Sequence, residues 1–127
     1  MGLEKAQRGI YREKSFRALS PVLRQKYFEP VEGGSKLSPE IMKRVTFSRV
    51  NLLELGEISP VARVHAIFCR NVFIYFSKHS IRQAVAMIAA KMPPGGHLFV
   101  GASESLLKIT TDFELKEIGG ALAYVRI

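Results

Sequence analysis

Four apolar residues, Ala66-Ile67-Phe68-Cys69, run straight into the polar pair Arg70-Asn71. A short continuous apolar run reads as a strand covered on both faces, as in a parallel sheet. The pair that ends it would emerge at the carboxyl rim of the sheet, where open α/β sheets bind ligands. Arg70 offers a planar fan of donors and Asn71 both a donor and an acceptor, groups suited to the polar ends of a ligand in an apolar cleft. Two further segments end in the same way. Val45 to Val50 reads as a strand leading into Asn51-Leu52, and His97 to Val100 as one leading into Gly101-Ala102-Ser103-Glu104. If the three strands are parallel, Asn51, Arg70, Asn71, Ser103 and Glu104 share one rim, with Tyr75 as a wall of the same cavity. Each has a plainer role if taken alone: strand terminator for Asn51, surface charge for Arg70, turn cap for Asn71, packing for Tyr75.

Other chemistries find little support. His65, His79 and His97 are isolated, with no metal-ligand spacing. Cys69 lies inside the apolar run and reads as core, which leaves no credible thiol nucleophile. A single cysteine forms no internal disulfide and fits a reducing cytoplasm. Gly95-Gly96 passes from helix into strand, the reverse of a strand-to-helix phosphate turn, and neither a G-x-G-x-x-G nor a Walker sequence occurs.

The elements that must position the rim follow from patterning. Leu3 to Tyr11 reads as a helix end closing at Gly9. Ser20-Pro21 and Ser38-Pro39 are helix starts, a capping serine before a proline at the first helical position. Glu29 to Gly34 reads as a breaker-rich loop, and Gly56 to Arg63 as another. Ser77 caps the clearest helix, whose apolar face is Ile81, Ala84, Val85, Ile88 and Met92, and Pro93-Pro94-Gly95-Gly96 stops it. Gly119-Gly120 between Phe113–Ile118 and Ala121–Ile127 is the strongest hairpin signal. Strand, helix and strand over 66–100 form a βαβ unit, so the class is α/β with a parallel sheet, helices and a C-terminal antiparallel hairpin.

The 127 residues suffice for one domain, and 47% apolar content can build a core. No run approaches the ~18 apolar residues of a membrane span, and Met1 to Arg12 has no apolar centre of a secretory signal. The net charge of +8 is uneven: residues 1–50 carry 11 Lys+Arg against 5 Asp+Glu, residues 51–127 carry 8 against 6. The basic half could face an acidic partner, but it lacks aromatic interleaving and a recognisable docking element, so no nucleic-acid partner is expected.

In order along the chain stand Leu3-Glu4-Lys5-Ala6-Gln7-Arg8-Gly9-Ile10-Tyr11, Lys26-Tyr27-Phe28, Val45-Thr46-Phe47, Val50-Asn51-Leu52-Leu53, Ile67-Phe68-Cys69-Arg70-Asn71-Val72-Phe73-Ile74-Tyr75-Phe76, Pro94-Gly95-Gly96-His97-Leu98-Phe99-Val100-Gly101 and Ser103-Glu104-Ser105-Leu106. This series resembles the CheR family of chemotaxis-receptor methyltransferases over nearly the whole chain. The resemblance implies a partial Rossmann-like class I methyltransferase fold and S-adenosylmethionine as cofactor. By motif, Asn51, Leu52, Arg70 and Asn71 would contact the cofactor, and Tyr75 would lie near its methyl group as the catalytic position. The substrate implied is the glutamates of methyl-accepting chemotaxis receptors, in the cytoplasm and without membrane insertion.

Against the family pattern, the glycine-rich cofactor loop, the ribose-holding acidic residue and the N-terminal helical domain have no counterpart in residues 1–127, and His65 stands where an Asp is usual. The family's small β-subdomain would fall at about Phe28 to Val45, which shows no clear three-strand pattern. The chain is thus expected to be the C-terminal portion of such a domain, a protein-glutamate O-methyltransferase weakly active or inactive alone. The competing expectation is a non-catalytic module that binds receptor or partner. Self-association through an exposed sheet edge is expected in either case.

Overall fold

The computed structural model describes residues 2–127. The chain forms two compact units, one ending at Arg49 and one running from Val50 to Ile127.

The first unit opens with helix α1 (Gly2–Arg8), then strand β1 (Ile10–Tyr11), a 3-10 turn at Glu13–Phe16, helix α2 (Pro21–Tyr27), strands β2 (Phe28–Val31) and β3 (Gly34–Leu37), and the one-turn helix α3 (Pro39–Met42). The Ser20 hydroxyl accepts from the Leu23 amide and caps α2 as expected; Ser38 precedes α3 without a side-chain bond. The segment read as a loop, Glu29 to Gly34, is instead a hairpin turning at Glu32-Gly33, and with β1 it makes a three-stranded antiparallel sheet in the order β1-β3-β2. The missing three-strand pattern is therefore present. Its third strand comes from before α2, and its Pro30 is tolerated because β2 lies at an edge. A small aromatic cluster packs the unit. The buried Phe16 meets Phe28 edge-on at 4.9 Å, and the Arg24 guanidinium sits 4.2 Å above the Phe16 ring while pairing with Glu13.

Residues 45–50 form no strand. Val45 and Phe47 have strand-forming side chains but are exposed and pair with no neighbour, and strand propensity without a ladder does not hold a strand.

The second unit carries helix α4 (Leu55–Ala62), strand β4 (Ala66–Cys69), a 3-10 turn at Phe73–Tyr75, helix α5 (Lys78–Lys91), and strands β5 (His97–Val100), β6 (Phe113–Ile118) and β7 (Ala121–Arg126). α4 replaces the expected loop at Gly56 to Arg63. Pro60 inside it costs about 3 kcal/mol relative to a good helix former. Burial of Ile58 to 1% exposure offsets about 1.5–3 kcal/mol of that, and Ala62 one turn on is buried on the same face. The sheet runs β4-β5-β7-β6, with β4 and β5 parallel, Cys69 opposite Val100, and the rest antiparallel. This is the α/β class expected, with the βαβ unit and the terminal hairpin in place. Both hairpin glycines take the left-handed conformation that the two-residue turn requires (φ 58° and 85°).

One face of the sheet supplies the core. Cys69, Leu98 and Tyr124 pack with Ala84, Val85, Ile88 and Ala89 of α5, and Ile58, Phe73, Met92, Leu106 and Phe113 complete the cluster. The opposite face is open. β4 is therefore not covered on both sides as expected: Phe68 is 72% exposed and stacks on Phe99 at 4.6 Å.

Candidate functional site

β4 and β5 end side by side, and their following loops are tied together by one carboxylate. Glu104 Oε1 accepts from the Asn71 amide at 2.7 Å and from the Gly101 amide at 2.6 Å. Its Oε2 is sealed from solvent with no hydrogen-bond partner. Burial pushes the carboxyl up, but the Gly101 and Asn71 amides, aided by those of Phe73 and Ile74, outweigh this and hold it below the ordinary carboxylate range. Asn71 sits at φ +60°, which asparagine tolerates better than other side-chain-bearing residues. Gly101 faces the same knot, and a β-carbon there would collide with Asn71 Oδ1 and stand 2.7 Å from Glu104 Oε1. Cys69, just below, is buried, and burial first, with the Glu104 charge second, pushes its thiol up to about 11. It is core, as expected, and a poor nucleophile.

Beside this knot lies a concavity of about 550 Å³ lined by Phe68, Arg70, Phe99, Gly101 to Ala102, Glu104 to Ser105 and Leu107 on one side, and by Ala121, Leu122, Tyr124 and Leu115 on the other. It opens where β5 and β7 diverge. The two strands pair only at His97–Val125 and Leu98–Tyr124, and the Gly101–Leu107 loop fills part of the gap. The Tyr124 hydroxyl fixes that loop by accepting from the Leu106 amide at 2.9 Å.

Of the three strand ends expected to converge, two do. Arg70 lines the concavity, and Asn71 is bonded to the β5 end by its backbone. Asn51 and Leu52 follow no strand. They form the turn into α4, where Asn51 Oδ1 accepts from the Leu53 amide at 3.0 Å, the Asn51 amide donates to Glu57 at 3.2 Å, and Leu52 is half-buried against the core. Tyr75 is 83% exposed on the 3-10 turn and does not line the concavity, so it is not the wall it was expected to be. The turn is anchored by its neighbour Phe73, which is buried and meets Phe76 at 5.8 Å, and this leaves the Tyr75 ring pointing outward. Ser103 is exposed and does not line it either. Glu104 was legible as a polar strand end, but its role is inward. A glutamate three residues after a strand-terminal glycine was the available sign, since that spacing lets the side chain turn back on the amide.

Residues 1–120 match the family described as CheR methyltransferase, SAM binding domain. The chain belongs to this family. It is 40% identical over 118 residues to a chemotaxis protein methyltransferase of Klebsiella aerogenes, covering 90% of this chain and 40% of that protein. It is 34% identical over 125 residues to chemotaxis protein methyltransferase 2 of Vibrio cholerae, covering 98% and 43%. A probable biofilm formation methyltransferase, WspC, of Pseudomonas aeruginosa is 30% identical over 123 residues, covering 97% and 29%. The chain thus spans about two-fifths of the length of the chemotaxis relatives it matches.

S-adenosylmethionine is the cofactor of this family's domain. The donor set here fits one end of it: the exposed Arg70 guanidinium suits a carboxylate and the Phe68–Phe99 stack offers an aromatic surface, while Asn71, whose carboxamide oxygen faces Gly101, lies outside the lining of the concavity. No helix is long and apolar enough to cross a membrane among the described residues.

Proposed function

We propose that this chain is the C-terminal portion of an S-adenosylmethionine-dependent protein-glutamate O-methyltransferase, acting in the cytoplasm on the glutamates of chemotaxis receptors. The observation that carries this reading is the Glu104 knot. It holds Asn71 in a left-handed conformation next to Gly101, at the rim of a chain the family matches over residues 1–120. A backbone held this way keeps the position from which Asn71 projects without a ligand, and alignment is what this chemistry needs. When bound, the cofactor supplies a methyl group on a sulfonium, which a glutamate carboxylate can accept without a general base. Arg70 and Asn71 would hold its polar groups, Asn51 and Leu52 would add contacts before α4, and Tyr75 would pack near the methyl in the completed domain. The rim described fits only one end of the cofactor, so the chain alone binds it weakly.

Calorimetric titration with S-adenosylmethionine tests this. Weak or no saturation is expected for the chain alone, and saturable binding once an upstream segment from a relative is joined to it. In the joined protein Asn71→Ala should weaken binding, and Tyr75→Phe should slow methyl transfer with less effect on affinity. Unchanged binding and transfer in two well-folded variants would reduce this block to strand termination and packing.

The exposed Tyr75 favours a second reading, a receptor- or partner-binding module without methyl transfer. No transfer by the joined protein, with receptor binding retained, would select it.

A further inference from the structure

The first unit holds a cluster of cations that the β4 rim does not explain. Two neighbouring concavities of about 410 and 520 Å³ share Arg8 and Ile10. Lys5, Arg8, Arg12 and Lys14 line one, and Arg8, Lys36 and Lys43 line the other. Local structure brings them together. Lys5 and Arg8 stand three residues apart on α1 and so share a helix face. Arg12 and Lys14 flank the entry to the 3-10 turn at Glu13–Phe16, Lys36 is opposite Ile10 in the β1–β3 ladder, and Lys43 directly follows α3.

Four of the five carboxylates of the unit are directed elsewhere. Glu13, between Arg12 and Lys14 in sequence, pairs with Arg24. Glu4, Glu29 and Glu40 line neither concavity, and Glu32 is the one acidic side chain that does. None of the six cations forms an ion pair among the described residues. The two linings thus set six cations against one carboxylate, an excess of positive charge that an external anion would neutralise.

We propose that this surface binds a diphosphate group, two linked phosphates, with Arg8 bridging the two lobes. Arginine forks match phosphate oxygens in pairs and lysines add point charges. Two adjacent lobes joined at one guanidinium suit a linked pair of anions better than a single one. A nucleic-acid strand is disfavoured because the one aromatic in the lining, Tyr11, has its ring engaged edge-on with Phe28 at 6.2 Å, which leaves no stacking platform. A membrane surface is decided by the vesicle arm of the test.

The test is titration of the full chain with inorganic pyrophosphate and with orthophosphate, followed by calorimetry and amide NMR in low and high salt. The expected result is saturable one-to-one binding of pyrophosphate, tighter than orthophosphate, with shifts at Arg8, Arg12, Lys36 and Lys43. Arg8→Gln should weaken it about ten-fold, the loss of one fork of charge-assisted bonds, and Arg8→Lys should recover part. Lys108→Gln, in the second unit, should change nothing. Arg8 is exposed on a helix with no buried residue, so both Arg8 variants should melt like the parent. Non-saturable binding, equal affinity for the two anions, or an Arg8→Gln loss no larger than that of Lys108→Gln would overturn the proposal. So would tighter binding of a glutamate-rich peptide, an oligonucleotide or phosphatidylglycerol vesicles than of pyrophosphate.

Discussion

Glu104 is the residue on which the β4–β5 rim depends, and its charge is the reason. One oxygen serves two amides from different loops, and bonds to a charged acceptor are worth about 1.5–3 kcal/mol each before coupling. Glu104→Gln keeps the shape and loses the charge, and it should lower stability by about 1–3 kcal/mol in chemical denaturation at neutral pH. The pH dependence has a definite sign. The folded carboxyl titrates below its ordinary value, so its contribution is full above the unfolded pKa and is lost as pH falls through the folded one. The gap between parent and Glu104→Gln should therefore close on acidification, and a constant gap would place the effect in packing. Gly101→Ala tests the same knot sterically. Its new methyl would displace Asn71 Oδ1, and a loss of about 1–3 kcal/mol with altered Asn71 and Gly101 amide signals is expected. The sequence made the residue types at this rim legible, but which of them face a ligand and which face the backbone depended on the chain returning 33 residues later to place Glu104 under Asn71.

Local signals sufficed where an element is stabilised by its own residues. Ser20 and Ser77 accept the amides three residues on, α5 buries the face its spacing marks, and Gly119-Gly120 turns the hairpin. They failed where a distant partner decides. Pro60 and Gly56 argued for a loop, but burial of Ile58 and Ala62 makes a helix. Val45 to Val50 argued for a strand, but no ladder receives it. Glu29 to Gly34 argued for a loop through Pro30 and two glycines, but β2 pairs with β3, and β3 is flanked on its other side by β1, which precedes the hairpin by a whole helix. The hairpin gives a prediction at this scale. A side chain in the left-handed region costs about 1–2 kcal/mol unless it is Asn or Asp. Gly120→Ala should therefore lower the melting temperature, while Gly119→Asn, which suits the same turn, should leave it nearly unchanged.

For the molecule as a whole, the second unit's sheet is asymmetric. One face is packed under α5, while the other shows Phe68 stacked on Phe99, and β4 has a strand on one side only among the described residues. An apolar strand with an open edge and an exposed aromatic ring invites pairing between chains. Light scattering should show concentration-dependent association of the chain, and Phe68→Lys should suppress it at a stability cost of no more than about 0.5–1.5 kcal/mol, the worth of the stack on Phe99, because the replaced ring is 72% exposed. A concentration-independent monomer would show the edge to be protected.

The single cysteine lies in that same edge strand, with its thiol turned into the core and held largely protonated at neutral pH. The protein therefore carries a built-in clock. A disulfide reagent acts when the thiol leaves the core, by fraying of β4 or by wider opening, so the labelling rate, divided by that of the unfolded chain, counts the fraction of time it is exposed. Followed through increasing denaturant, the ratio would separate fraying of one strand from collapse of the whole sheet.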